Sequence, residues 1–182
     1  MTTIAVLVGS LRKESFSRKT ARAIAKLAPG PEFDFLDIGA VSYFNQDLEA
    51  NPPADWTAFR ERISAADAIL FVTAEYNRSV PGVLKNAIDV ASRPYGQGAL
   101  LNKPAAVIST SIGAIGGFGA NHHLRQSLAF LNMPVMAQPE AYIGNAASLF
   151  DDKGELVNED TREFLANFGK AFLSFIEHNR QK

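Results

Sequence analysis

The sequence predicts an α/β fold: a three-layer α/β/α sandwich on a five-stranded parallel sheet of order 2-1-3-4-5. Three observations carry this prediction. Short apolar segments alternate strictly with segments of helical periodicity, in the order β-α-β-α-β-α-β-α-β-α, the pattern of a parallel sheet whose crossovers are helices. Thr3–Val8 and Ala68–Ala74 are apolar almost without interruption, as strands covered on both faces are. The 182 residues are 47% hydrophobic and 20% charged, a balance that excludes disordered, collagenous and coiled-coil chains. This length suits one domain over residues 1–182 with a core of its own.

Each element has a local reason. Thr3–Val8 is the first strand, closed by Gly9-Ser10. Ser15 or Ser17 caps a helix through Ala28, whose Ala21, Ile24, Ala25 and Ala28 recur at helical spacing. Pro29-Gly30-Pro31 ends it, and Glu32–Ile38 alternates as the second strand. After a loop over Gly39–Pro53, Asp55 is expected to cap a helix over Trp56–Ala66. Ala68–Ala74 is the third strand. Pro81 suits the first turn of a helix to Ser92. Pro104–Thr110 is the fourth strand, followed by a glycine-rich loop and a helix over Asn121–Leu131. Pro134–Ile143 is expected as the fifth strand. The last helix, Glu159–Asn179, carries Phe164, Leu165, Phe168, Phe172, Phe175 and Ile176 on one stripe. This arrangement is flavodoxin-like, and ligands of such open sheets bind outside the carboxyl ends of the strands.

Composition narrows the chemistry. Without cysteine the chain has no disulfide framework, zinc ribbon, Fe–S cluster or thiol nucleophile, so any redox chemistry belongs to a bound cofactor. Eighteen basic against nineteen acidic residues give a net charge of −1, which argues against broad attraction to nucleic acid or membrane. The apolar run Ile4–Val8 is too short for a spanning helix or signal segment, and the expected compartment is the cytoplasm. His122 and His123 are adjacent, about 100° apart on a helix, so they share no face as a metal pair; no metal site is expected.

Three loops at the carboxyl edge carry candidate chemistry. The first, Gly9 to Lys19, holds Ser10, Ser15, Ser17 and Arg12 before a helix N-terminus. It has neither the GxGxxG nor the Walker pattern. Hydroxyls, free amides and one arginine suit a terminal phosphate monoester; helix caps and a solvated arginine are the simpler alternative. The second, Ala74 to Gly82, offers the aromatic face of Tyr76 and the amides around Asn77 to a heterocycle, or is an ordinary turn. The third runs from Ser109 to Gly119. Its Gly113, Gly116, Gly117 and Gly119 allow close approach to a flat ligand, or serve as a flexible connection.

Together these segments resemble the NADPH-dependent FMN reductase family, in its quinone, chromate and azo-dye reductase branch. The resemblance rests on Gly9-Ser10-Leu11-Arg12 with Ser15 and Ser17, and on Glu75-Tyr76-Asn77-Arg78-Ser79-Val80-Pro81-Gly82 with Leu84 to Asp89. Gly113, Gly116-Gly117 and His123-Leu124-Arg125-Gln126 complete it. It covers about Ile4 to Gly144. It implies noncovalent FMN, with Ser10, Arg12, Ser15, Phe16 and Ser17 on the phosphate. Glu75, Tyr76, Asn77 and Ser79 would border the isoalloxazine, mainly through their backbone, and Ser111 and Gly113 would line its other edge. It implies NADPH or NADH as reductant and small acceptors such as quinones, azo compounds, chromate or free flavin. It also implies a homodimer or homotetramer with flavin near the subunit interface. No side chain is expected to be catalytic, since the flavin carries the chemistry. Two positions depart from the pattern. Ala74 stands where many members have proline, and Val90 where many have tryptophan, which questions helix packing near the dimer face.

Other readings are kept beside this one. A flavodoxin-type electron carrier without NAD(P)H oxidation shares the fold and FMN, but a −1 chain lacks the acidic balance of such shuttles. A hydrolase with Ser111, Asp151 and His178 follows a permitted chain order, yet Ser111 lacks the first glycine of a nucleophile elbow. Arg78 and Arg93 are candidates for the dinucleotide phosphates or plain surface charges. Arg125 is expected at a subunit interface, with a solvated helix arginine as the alternative.

Overall fold

The computed structural model describes residues 1–180. Five strands, β1 (Thr3–Val8), β2 (Glu32–Leu36), β3 (Ala68–Thr73), β4 (Ala105–Thr110) and β5 (Ala141–Ile143), form one sheet of order β2-β1-β3-β4-β5. All pairings are parallel. The expected topology is therefore observed. The helices are α1 (Phe16–Leu27), α2 (Ala54–Ala65), α3 (Gly82–Ala91), α4 (Phe118–Phe130) and α5 (Glu159–Arg180). α1 and α5 cover one face of the sheet; α2, α3 and α4 cover the other.

The core follows from strand alternation. Ile4, Val6 and Val8 face the α1–α5 layer, whereas Ala5 and Leu7 face the opposite layer. All of β3 and β4 is buried, which is why 68–72 and 105–108 read as continuous apolar runs. α5 buries Leu165, Phe168, Phe172 and Ile176. It approaches α1 closely at Gly169, where a Cβ would lie 2.9 Å from the Ala28 Cβ.

Two expectations about elements are corrected. Asp55 does not cap α2. The helix starts at Ala54 behind Pro53, with no side-chain cap, and the Asp55 carboxylate instead accepts the Ser42 amide and hydroxyl at 2.7 Å each. These bonds, on a carboxylate only slightly buried, hold its pKa below the ordinary value. The fifth strand is only Ala141–Ile143, because the segment from Pro134 joins the sheet just once, around Val135. Pro134 and Pro139 carry no amide to donate to a ladder. Val90 is fully buried in the α2–α4 layer, so it packs into its own domain rather than onto a dimer face.

Among the described residues no helix is long and apolar enough to cross a membrane.

Candidate functional site

The strand order changes direction between β1 and β3, and the loops after β1, β3 and β4 converge there. Gly9 marks the closest approach: its amide donates to the Val72 carbonyl at 2.9 Å, and a Cβ would stand 3.1 Å from both Leu84 Cδ2 and Thr73 Oγ1. The Ser10 hydroxyl and the Tyr76 phenol face each other at 3.5 Å, longer than a full O–H···O bond. The first two loops thus meet without being tied.

The first loop presents an anion cradle. Ser15 is the N-cap of α1: its Oγ accepts the Arg18 amide at 3.2 Å, which leaves its hydroxyl proton free to donate. The first helical bond within α1 runs from the Lys19 amide to the Ser15 carbonyl. The Phe16 and Ser17 amides therefore precede the ladder and point out of its positive end. No acidic residue stands in that first turn. Ser10, Ser15 and Ser17 are all buried. Arg12 is exposed, its guanidinium 5.7 Å from the Phe16 ring centroid, with no ion pair among the described residues. Buried hydroxyls, unused amides and one free guanidinium suit a phosphate monoester.

The second loop is a two-residue hairpin. Tyr76 and Ser79 exchange both backbone bonds at 3.0 and 3.1 Å. Asn77 and Arg78 between them take φ 52° and 63°, the geometry of a type I′ turn. An arginine in this region is strained, and the turn holds its outward amides unpaired at the sheet edge. Glu75 braces the hairpin: its Oε2 accepts the Ala120 amide at 3.0 Å, and its Oε1 pairs with Arg78 at 3.4 Å. The Ser79 hydroxyl meets His123 Nδ1 at 3.0 Å. This second tie between the loop and α4 joins residues 44 apart in the chain.

In the third loop most of the glycines serve packing rather than ligand approach, a correction to the sequence reading. A Cβ on Gly116 would fall 2.5 Å from the Tyr142 carbonyl carbon, one on Gly117 3.0 Å from the Ser109 Cβ, and one on Gly119 2.7 Å from the Arg78 carbonyl oxygen. Gly113 differs. Its nearest such neighbour is Ser111 Oγ at 3.7 Å, and it is exposed. Ser111 turns inward to accept the Gly113 amide at 3.1 Å. Gly113 is therefore the position of this loop that leaves room for a flat ring. Leu11, Tyr76, Ile112, Ile115 and Phe118, between 48% and 68% exposed, form an apolar rim around the three loops. They create an open face, not a cavity. A cavity of about 600 Å³ lies elsewhere, between the far ends of α3 and α4.

The other candidates separate clearly. Arg78 sits in the hairpin at the site. Arg93 does not: it lies beyond α3, 3.7 Å from Glu49 and over the Phe44 ring. Arg125 bonds within its own chain, to Asn121 Oδ1 at 2.9 Å and the Met136 carbonyl at 3.0 Å, so it is neither solvated nor free. His122 meets the Tyr142 hydroxyl at 2.9 Å. Burial, and then Glu140 beside it, holds that phenol above its usual pKa. The triad reading fails. Asp151 accepts the Lys153 and Glu155 amides. α5 carries His178 toward Arg180, which reaches Thr2 and Asp67 at the amino edge of the sheet, opposite Ser111.

An open α/β sheet with a hydroxyl- and amide-bearing loop, a tight hairpin and an apolar rim at its switch point has the architecture of a nucleotide-binding α/β protein. The chain belongs to the NADPH-dependent FMN reductase family, whose pattern it matches over residues 2–148. It is 60% identical over 179 residues to a quinone reductase of Pseudomonas putida, which covers 97% of this chain and 96% of the relative. It is 48% identical to a 2-hydroxy-1,4-benzoquinone reductase of a Burkholderia species, covering 97% of each. Among solved structures, the flavoenzyme NAD(P)H:acceptor oxidoreductase FerB of Paracoccus denitrificans superposes with a TM-score of 0.92 at 44% identity. That match covers 98% of this chain and 99% of FerB. The protein is accordingly an FMN-dependent NAD(P)H oxidoreductase.

Proposed function

We propose that this single domain reduces quinones, and other small two-electron acceptors, at an FMN held by the three loops. The observation that supports the assignment is the loop after β1, which holds the buried hydroxyls of Ser10, Ser15 and Ser17, exposed Arg12 and two unused helix amides, together with the Tyr76–Ser79 hairpin and open Gly113. Bound FMN supplies the redox chemistry, taking a hydride from the nicotinamide and passing two electrons to the acceptor.

The chain's own residues bind and orient. Arg12 and the hydroxyls of Ser10, Ser15 and Ser17 hold the phosphate, with the Phe16 and Ser17 amides. Glu75 positions the hairpin, so that Tyr76, Asn77 and Ser79 present backbone groups to the heterocycle edge. Ser111 and Gly113 line the opposite edge. Arg78, at the same mouth, attracts the negatively charged coenzyme. No side chain is assigned a catalytic proton transfer. NAD(P)H and acceptor use the same open face in turn, which makes turnover ping-pong. The exposed rim of Leu11, Tyr76, Ile112, Ile115 and Phe118 supports a second copy closing over the face, and thus a homodimer or a pair of dimers. The names of the two relatives support a quinone as acceptor, and dependence on NAD(P)H supports a cytoplasmic site of action.

The test is anaerobic. NADPH added to the FMN-loaded protein should bleach the flavin, and one equivalent of benzoquinone should restore its colour with formation of hydroquinone. Bleaching with no reoxidation by quinones would overturn the acceptor assignment. Absence of bleaching would overturn the whole reading.

A further inference from the structure

A groove lies on the outer face of α1, where it faces the turn after Phe150. This groove, about 330 Å³, shares Ser15 with the loop before it, and Arg12 takes no part in it. Seven of the chain's eighteen basic side chains line it, against three of its nineteen acidic ones. The rest of the molecule therefore carries eleven basic and sixteen acidic residues. A chain of net charge −1 thus concentrates positive charge in one concave place.

The groove is built rather than incidental. Arg18, Arg22 and Lys26 repeat every fourth residue of α1, so they stack on one face. Like charges at this spacing weaken a helix, and only the last is neutralised inside the chain: Lys26 is paired with Glu155 at 2.6 Å. Lys19, also in the lining, is paired with Glu14 at 3.2 Å. Arg18, Arg22 and Lys153 have no ion pair among the described residues. The opposite wall is a fixed turn. Asp151 accepts the Lys153 and Glu155 amides at 2.9 Å each. Gly154, at φ +80°, packs where its Cβ would lie 3.3 Å from the Lys19 Cε. Two guanidiniums on α1 and an ammonium on the turn, none of them ion-paired among the described residues, line one small groove and present a fork-and-point set suited to adjacent phosphates.

We propose that the α1 groove binds a small anion carrying two or more phosphate groups, separately from the flavin phosphate. Two sources share this chemistry: the adenosine end of NADPH, and a free nucleotide or polyphosphate.

Calorimetry on the FMN-saturated protein tests it, with tripolyphosphate as probe at a low ionic strength of about 50 mM, where the charges are weakly screened. The expected result is saturable binding at one site per chain. In Arg22→Glu/Lys153→Glu that binding should weaken by about tenfold or more, with FMN affinity and melting temperature unchanged. The milder Arg22→Gln/Lys153→Gln should give an intermediate loss. If the KM for NADPH rises in the variants, alone or together with that for NADH, which shares its pyrophosphate, the phosphates are the coenzyme's. If both KM values hold while probe binding falls, the ligand is free. No saturable binding, or binding that survives the charge reversal, overturns the proposal. FMN saturation keeps this outcome distinct from any failure of the flavin assignment.

Discussion

The Glu75 carboxylate accepts a hydrogen bond from the Ala120 amide at 3.0 Å. This contact joins the loop after β3 to the first turn of α4 and places a negative charge at the positive end of that helix. α4 begins behind Gly117 without a side-chain cap from its own N-cap residue, so Glu75 does that work from 45 positions away. The same carboxylate reaches Arg78, in the strained hairpin. One side chain thus stabilises both the helix end and the hairpin of the candidate site.

Glu75→Ala should therefore cost about 1 kcal/mol of stability, the usual value of a lost cap, and also weaken FMN binding. Glu75→Gln keeps an acceptor oxygen and should recover most of both. Thermal melts of the FMN-free protein and fluorescence titration with FMN separate the two effects. A loss of stability with FMN affinity unchanged would mean that the hairpin does not border the flavin.

Arg12→Ala should leave the FMN-free protein as stable as before, because the exposed side chain makes no ion pair to lose. A hydrogen bond to a charged group is worth about 1.5–3 kcal/mol, so FMN affinity should fall roughly tenfold or more. Riboflavin, which lacks the phosphate, should bind both proteins equally. An equal loss for riboflavin would move Arg12 away from the phosphate.

Two glycines of one loop should behave oppositely. Gly116→Ala forces a Cβ to 2.5 Å from the Tyr142 carbonyl carbon at φ +65°, and should destabilise the fold by roughly 2–3 kcal/mol. Gly113→Ala meets nothing closer than the Ser111 hydroxyl at 3.7 Å. It should fold normally and lose FMN affinity. Denaturant melts with FMN titrations check both; normal FMN binding by Gly113→Ala would remove it from the flavin edge.

At the amino edge, Asp67 sets acid stability. Burial pushes its carboxyl up, but the Thr3 amide at 2.7 Å and the Arg180 guanidinium together hold it below its ordinary value. A depressed folded pKa stabilises fully above the unfolded value, near 3.9, and that stabilisation is lost as pH falls through the folded value. Asp67→Ala should cost about 1–2 kcal/mol at neutral pH, with a difference that shrinks below about pH 4. Urea melts across that range give the slope; a cost independent of pH would assign Asp67 a packing role only.

The sheet was legible because burial on both faces writes itself into β1, β3 and β4 as unbroken apolar runs. The candidate site was legible for a related reason: in a parallel sheet the loops after those strands lie at one edge, so topology brings the loops of Ser10, Tyr76 and Gly113 to the same end of the sheet. What the sequence concealed depends on distant partners. Asp55 looked like a cap because nothing local shows that Ser42 takes its carboxylate. Gly116, Gly117 and Gly119 looked like a ligand platform because the atoms they pack against, at Tyr142, Ser109 and Arg78, are brought near only by folding. Glu75 showed no sign of bracing α4. The turn that faces α1 across its basic side is likewise brought there only by folding.

The central claim is that the loops after β1, β3 and β4 hold FMN, phosphate at the α1 N-terminus and ring along the hairpin. A crystal structure of the protein with FMN tests it most directly. Phosphate oxygens are expected within about 3 Å of the Arg12 guanidinium and the Ser15 and Ser17 hydroxyls, with the ring between the Tyr76–Ser79 hairpin and Gly113. A flavin phosphate seated instead between Arg22 and Lys153 on the outer face of α1, or a ring in the cavity between α3 and α4, would contradict it.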